Sequence, residues 1–205
     1  MTLRPVYVVD DEGPIRRSLD LMLRTMKFAP RTFGDGAQLL TALPDLEPGC
    51  LLLDLRMPDI DGLEVQRQLL AAAAPHSVFV MSGHGDLGIA LTAMEQGALA
   101  FVEKPFSRAT LEESLEVGFL RLSDADAYVA HLRSAAAAVA QLGTGDREVL
   151  DLLVRGHDGE TIATQTKQSP SALEQARARI FASLGAKSLF DLLRIAFAAR
   201  RAALL

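Results

Sequence analysis

The chain has 205 residues, which allows one large domain or two small ones. Its 49% hydrophobic and 23% charged content is that of an ordinary globular protein, with no apolar run near the roughly 20 residues that span a bilayer and no basic-then-apolar N-terminus. The net charge of −5 is uneven: residues 1–120 hold 10 Lys/Arg against 17 Asp/Glu, and residues 144–205 hold 9 against 7. An acidic first part and a mildly basic last part point to two domains with different partners, and the basic excess permits nucleic-acid contact without demanding it. The single Cys50 excludes an intramolecular disulfide framework and fits a reducing cytoplasm, so a cytoplasmic location and no membrane partner are expected.

Short apolar runs open the chain. They are VYVV (6–9), a weaker APRTF (29–33), CLLLD (50–54), SVFVM (77–81) and ALAFV (98–102). Between them, apolar residues recur at helical spacing. Ile15, Leu19, Met22, Leu23 and Met26 form one stripe. Leu63, Val65, Leu69 and Leu70 form a second, and Ile89, Leu91, Ala93 and Met94 a third. A further helix is predicted from Ser107 to about Leu122, with Leu111, Leu115, Phe119 and Leu122 on one face. Strands alternating with helices predict a parallel sheet covered on both sides, whose buried strands read as continuous apolar runs.

YVAHLRSAAAAVAQL (128–142) is alanine-rich and nearly free of breakers, so it predicts a helix rather than a loose tether. Tyr128, Leu132, Ala135, Val139 and Leu142 give it a sparse stripe. Such a helix is either a solvated spacer or one that packs on a partner subunit or on the other domain. Gly143 and Gly145 mark a boundary. Four helices are predicted beyond it: Asp146–Arg155, Glu160–Thr166, Ser169–Leu184 and Ser188–Arg200. Ser169 is placed to cap the third, with Pro170 at its first position. The last carries a wide apolar face (Leu189, Leu192, Leu193, Ile195, Ala196, Phe197), suited in part to the core and in part to a dimer surface.

The chemistry gathers at strand ends. Asp10 and Asp11 follow VYVV, Asp54 ends CLLLD, Ser82 ends VFVMS, and Lys104 follows AFVE. In a parallel α/β sheet the carboxyl ends of the strands are where ligand sites form. Three clustered carboxylates repel one another unless they hold a hard cation such as Mg²⁺. One aspartate then attacks a phosphoryl group, the metal and lysine neutralise charge, and the hydroxyl holds a product oxygen. Chemistry alone does not decide which aspartate attacks. Asp10 and Asp11 suit the metal as a neighbouring pair, which favours Asp54. His84 sits in the loop SGHGD as a solvated residue, and His76, His131 and His157 form no ligand set.

VVDDE (8–12), LLLDLRMPDIDG (51–62), MSGHGD (81–86) and FVEKPF (101–106) resemble the receiver domain of two-component response regulators over roughly residues 3–122. The resemblance implies a flavodoxin-like sheet of order 2-1-3-4-5. It implies Asp54 as phosphoacceptor, Mg²⁺ (or Mn²⁺) held by Asp10, Asp11, Asp54 and the Arg56 backbone carbonyl, and Ser82 and Lys104 as phosphate-sensing residues. Phe101 falls at the family's switch aromatic, and Lys104–Pro105 where the family carries a cis peptide.

DREVLDLLVRG (146–156), IA (162–163), SP (169–170) and RARIFASLGAKSLFDLLRIA (177–196) resemble the four-helix LuxR/NarL-type helix-turn-helix. With the receiver, the chain is similar to the FixJ subfamily. This implies a receiver at 1–122, a helical linker at 123–142 and an effector at 143–205. It also implies a histidine kinase as phosphodonor, a homodimer on phosphorylation formed through the last helix, and promoter DNA as target. Beyond phosphoryl transfer to its own aspartate and its hydrolysis, no enzyme activity is expected. Several effector positions depart from the family. A lysine near phosphates is Glu160, apolar turn residues are Thr166 and Gln168, and polar residues near the DNA backbone are Ala172 and Ala176. The remaining DNA-contact candidates are Lys167, Ser171, Gln175, Arg177 and Arg179. Two functions stay open from the sequence: a phosphorylation-controlled transcription factor, and a receiver-controlled regulator acting through protein contacts, as an antagonist or phosphate sink.

Overall fold

The structure, a computed structural model, describes residues 3–83 and 87–205. His84 and the rest of its loop to Asp86 lie outside the described residues. Two compact units meet between Ala125 and Asp126.

In the first unit, strands β1 (Arg4–Val9), β2 (Phe28–Phe33), β3 (Cys50–Asp54), β4 (Ser77–Ser82) and β5 (Ala100–Glu103) alternate with α1 (Gly13–Thr25), α2 (Gly36–Ala42), α3 (Gly62–Ala71), α4 (Leu87–Glu95) and α5 (Arg108–Ser123). All pairings are parallel, in the order β2-β1-β3-β4-β5 that the resemblance implied. β1 and β3 carry apolar side chains to both faces because helices cover both. Tyr7, Val9, Leu51 and Leu53 pack with Val65 and Leu69 on one side. Cys50 faces the other, its Sγ 3.7 Å from the Leu115 carbonyl of α5. The weak run at 29–33 has a simple reason: β2 is an edge strand, and its Arg31 and Thr32 are exposed. β5 begins two residues later than its apolar run, because the Ala98 amide bonds back to Ala93 of α4.

The predicted stripes are inward with two kinds of exception. Leu19, Leu23, Val65, Leu69, Leu91 and Met94 are buried. Leu70, expected on the inner face of α3, is 65% exposed, since it lies one residue past Leu69 and so about 100° around the helix. Ile15, Met22, Leu63 and Ile89 are half-buried at groove edges. α2, for which no stripe stands out in the sequence, is capped by Asp35, whose side chain accepts from the Gln38 amide.

The second unit holds α6 (Ala125–Ala140, all but its first residue), α7 (Thr144–Val154), α8 (Gly159–Thr166), α9 (Pro170–Leu184) and α10 (Leu189–Ala202). The alanine-rich segment is helical and groups with these helices; it lines a groove with α7 and α10 through Ala136, Val139, Leu150 and Ala196. Gly145 lies inside the first turn of α7, with Gly143 as its N-cap. Side-chain caps start the next three helices: Asp158 accepts from Thr161, Ser169 from Ala172 and Ser188 from Asp191. Leu192, Leu193, Ala196 and Phe197 of α10 are buried, while Leu189 and Ile195 are half-buried. Among the described residues no helix is long and apolar enough to cross a membrane.

Candidate functional site

Asp10 is fully buried at the end of β1. One carboxylate oxygen accepts the Glu12 amide at 2.9 Å, an Asx-type turn that launches α1. Its backbone is pinned too: its amide donates to the Phe33 carbonyl at 3.3 Å, and Arg16 donates to its carbonyl at 2.6 Å. Asp11, the next residue, is exposed. Asp54 ends the neighbouring strand at 5% exposure, its carboxylate facing the Arg56 amide at 3.5 Å.

The chain after Asp54 folds back tightly. The Leu55 amide donates to the Met81 carbonyl and the Gly62 amide to the Leu55 carbonyl, both at 3.0 Å. A Cβ on Gly62 would lie 2.3 Å from the Asp54 carbonyl oxygen, so only glycine permits this closure. Arg56, whose carbonyl was expected as a metal ligand, lies in this loop.

Lys104 joins the two carboxylates. Its Nζ is 2.7 Å from Asp10 Oδ2 and 3.1 Å from Asp54 Oδ2. Its backbone is held by its amide donating to the Ser82 carbonyl at 2.8 Å, and the Lys104–Pro105 peptide is cis. Ser82 is 1% exposed at the end of β4, and Phe101 is buried in β5. The structure thus brings the residues named from four strand ends to one edge.

Burial raises the Asp54 pKa, and the Asp10 charge adds to the rise against the pull of Lys104. Burial also disfavours charge on Lys104, but the bond to Asp10 and the Asp54 charge outweigh it, so its pKa is raised. Ligand oxygens of Asp10, Asp11 and Asp54 lie within 4.8 Å of one another, a hard-oxygen set that fits a divalent cation such as Mg²⁺.

The helix-turn-helix candidates divide differently from their sequence order. Lys167 ends α8 in the left-handed region at φ 55° and is exposed. Glu160 is exposed in the first turn of α8, where its charge favours the helix dipole. Thr166, unexpected in a packed turn, satisfies its hydroxyl on the Ile162 carbonyl at 2.8 Å. On α9, Ser171 and Gln175 are exposed. Ala176 is not on the DNA-facing surface as expected: it is fully buried with Leu173 and Ile180, spaced three and four residues from it on the inner face. Arg177 pairs with Glu174 at 3.3 Å. Arg179 forms a two-pronged bond to Asp146 of α7 at 2.7 and 3.1 Å.

Sequence reasoning missed Asp146, Arg16 and Gly62. Asp146 acts across 33 positions, which no local pattern reports, and Arg16 acts on a backbone carbonyl, which leaves no residue-type signal. Gly62 stood within a quoted motif, and its Asp-Gly pair was the available signal.

The model of the response regulator receiver domain matches residues 6–116. Over the whole chain the protein is similar to the transcriptional regulatory protein FixJ of Bradyrhizobium diazoefficiens, 36% identical over 95% of each chain. It is also similar to FixJ of Rhizobium meliloti, 37% identical over 97% of each. The crystal structure of full-length FixJ from B. japonicum aligns with a TM-score of 0.60 at 35% identity, covering 98% of this chain and 99% of that one.

Proposed function

The chain belongs to the response regulator receiver family as a FixJ-type transcriptional regulator, and on that premise we propose that a histidine kinase phosphorylates it on Asp54. The observation that carries the site assignment is the meeting of Asp10, Asp54 and Lys104 at one sheet edge, with both carboxylates within 3.1 Å of one ammonium. Asp54 sits where its carboxylate oxygen attacks the phosphorus of a phosphohistidine, and the leaving imidazole departs in line. Asp10, Asp11, Asp54 and the Arg56 carbonyl would hold Mg²⁺ (or Mn²⁺). When bound, that ion neutralises phosphoryl oxygens. Lys104 supplies the second positive charge and is already oriented by its bonds to both carboxylates. The Ser82 hydroxyl accepts the role of holding a product oxygen. Its displacement, together with Phe101 on the adjacent strand, transmits the change to α4, β5 and α5.

We take residues 1–122 as the receiver, 123–142 as the linker and 143–205 as the effector. The phosphorylated chain pairs as a homodimer and binds promoter DNA through α9. Acetyl phosphate labelling tests the phosphosite: Asp54→Asn should take up no phosphoryl group, and persistent labelling would move the assignment to another carboxylate. Mobility shifts of the full chain, loaded with beryllofluoride, test the output. Binding that weakens steeply with salt is expected. No DNA binding at low salt would overturn the reading.

A further inference from the structure

The outward face of α9 carries no arginine. At about 100° per residue, the buried residues Leu173, Ala176 and Ile180 define the inner face. The residues opposite are Ser171, Gln175, Ala178 and Ala182, all exposed, with Glu174 beside them. Arg177 and Arg179 stand on opposite flanks, each about a quarter-turn from that centre. Arg179 is further tied to α7: Asp146, whose side chain is only 17% exposed, holds its guanidinium by two bonds of 2.7 and 3.1 Å. Those bonds commit Nε and one Nη2 proton and draw the guanidinium toward α7, away from the centre of the outward face.

We propose that this chain reads DNA bases with an acid–amide pair, Glu174 and Gln175, and that Arg179 is a positioning residue that docks α9 on α7 through Asp146. The proposal rests on the reading of the second unit as a DNA binder. In the major groove an amide side chain pairs two-pronged with adenine, and a carboxylate accepts from the cytosine amino group. Both side chains project from the first half of the helix, the part that reaches base edges when a recognition helix enters the groove end-first. Glu174 now engages Arg177 at 3.3 Å on its own helix. That contact is exposed and weak, so exchange for a cytosine amino group frees Arg177 for a phosphate. The half-site is therefore specified by adenine and cytosine positions rather than by an arginine–guanine contact.

The test is selection of the beryllofluoride-loaded full chain on a duplex library randomised over about 20 base pairs, enough for two half-sites one turn apart. The wild-type chain should enrich a half-site with a C·G pair and a neighbouring A·T pair. Glu174→Ala should flatten the preference at the first and Gln175→Ala at the second, by roughly 5- to 100-fold each. Arg179→Gln and Asp146→Asn should weaken binding alike on every sequence and leave the enriched half-site unchanged. Their stability losses in the full chain should be strongly non-additive, because they share one interaction. An enriched sequence untouched by Glu174→Ala and Gln175→Ala overturns the inference alone. So does loss of a guanine preference in Arg179→Gln. A library with no enriched sequence overturns the DNA reading and this inference with it.

Discussion

Replacing Lys104 by methionine removes a cation in contact with two buried carboxylates while keeping an apolar stem of similar length. At separations of 2.7 and 3.1 Å and an effective dielectric of about 20, each contact is worth about 5–6 kcal/mol in Coulomb energy before desolvation. Removing one partner of a buried ion pair has a net effect of about 3–5 kcal/mol, because the remaining charge is stranded. The Lys104 site sits at a sheet edge beside exposed Asp11, which favours the lower end, so a loss of about 3 kcal/mol is expected. Urea unfolding of wild type and Lys104→Met without divalent cations reads this directly. Adding Mg²⁺ should narrow the gap, since without the repulsion of the ammonium the variant binds the ion more tightly than wild type, by about 1.4 kcal/mol for each tenfold difference in affinity. Lys104→Arg, which keeps the charge, should lose less than the methionine variant. A methionine variant as stable as wild type without metal, or a gap that Mg²⁺ leaves unchanged, would refute the electrostatic account of this edge.

Three other outcomes follow from single contacts. Gly118→Ala in α5 places a Cβ 2.6 Å from the Phe79 ring and 2.7 Å from Cys50 Sγ; overpacking of about 1–3 kcal/mol should exceed the helix-propensity gain of up to about 1 kcal/mol, lowering Tm. His76 is buried, accepts the Gly49 amide on Nδ1 at 3.3 Å, and burial holds its pKa below the usual histidine value. The unfolded chain then binds the extra proton first, so His76 stabilises fully above about pH 6.5 and the contribution is lost as pH falls from there toward the depressed value. Stability of His76→Asn, which keeps an acceptor near the Nδ1 position, should fall less between pH 7.5 and 5 than that of wild type. Parallel curves would show that His76 is not the group responsible. Glu160→Lys should lose up to about 1 kcal/mol of α8 dipole stabilisation yet tighten DNA binding, with the salt slope steeper by about one phosphate contact. An unchanged slope would place Glu160 away from the DNA backbone.

The receiver is legible from the order of its residues. Its buried parallel strands have to be continuous apolar runs, and its charged groups have to sit just past them, so strand ends and site residues are legible together in VVDDE, LLLD and FVEKP. Ser169 and Pro170 likewise marked the start of α9, because a cap is a local interaction. Tertiary structure alone decided the rest. The approach of Lys104 to Asp10 crosses 94 positions of sequence, and the clamp of Asp146 on Arg179 crosses 33. Neither leaves a periodic trace. Helical phase separated Ala176, which is core, from Gln175, which is surface, although the two are neighbours in the chain. A residue type states what a side chain can do. Only the packing of α9 on α7 sets which of its faces remains free to do it.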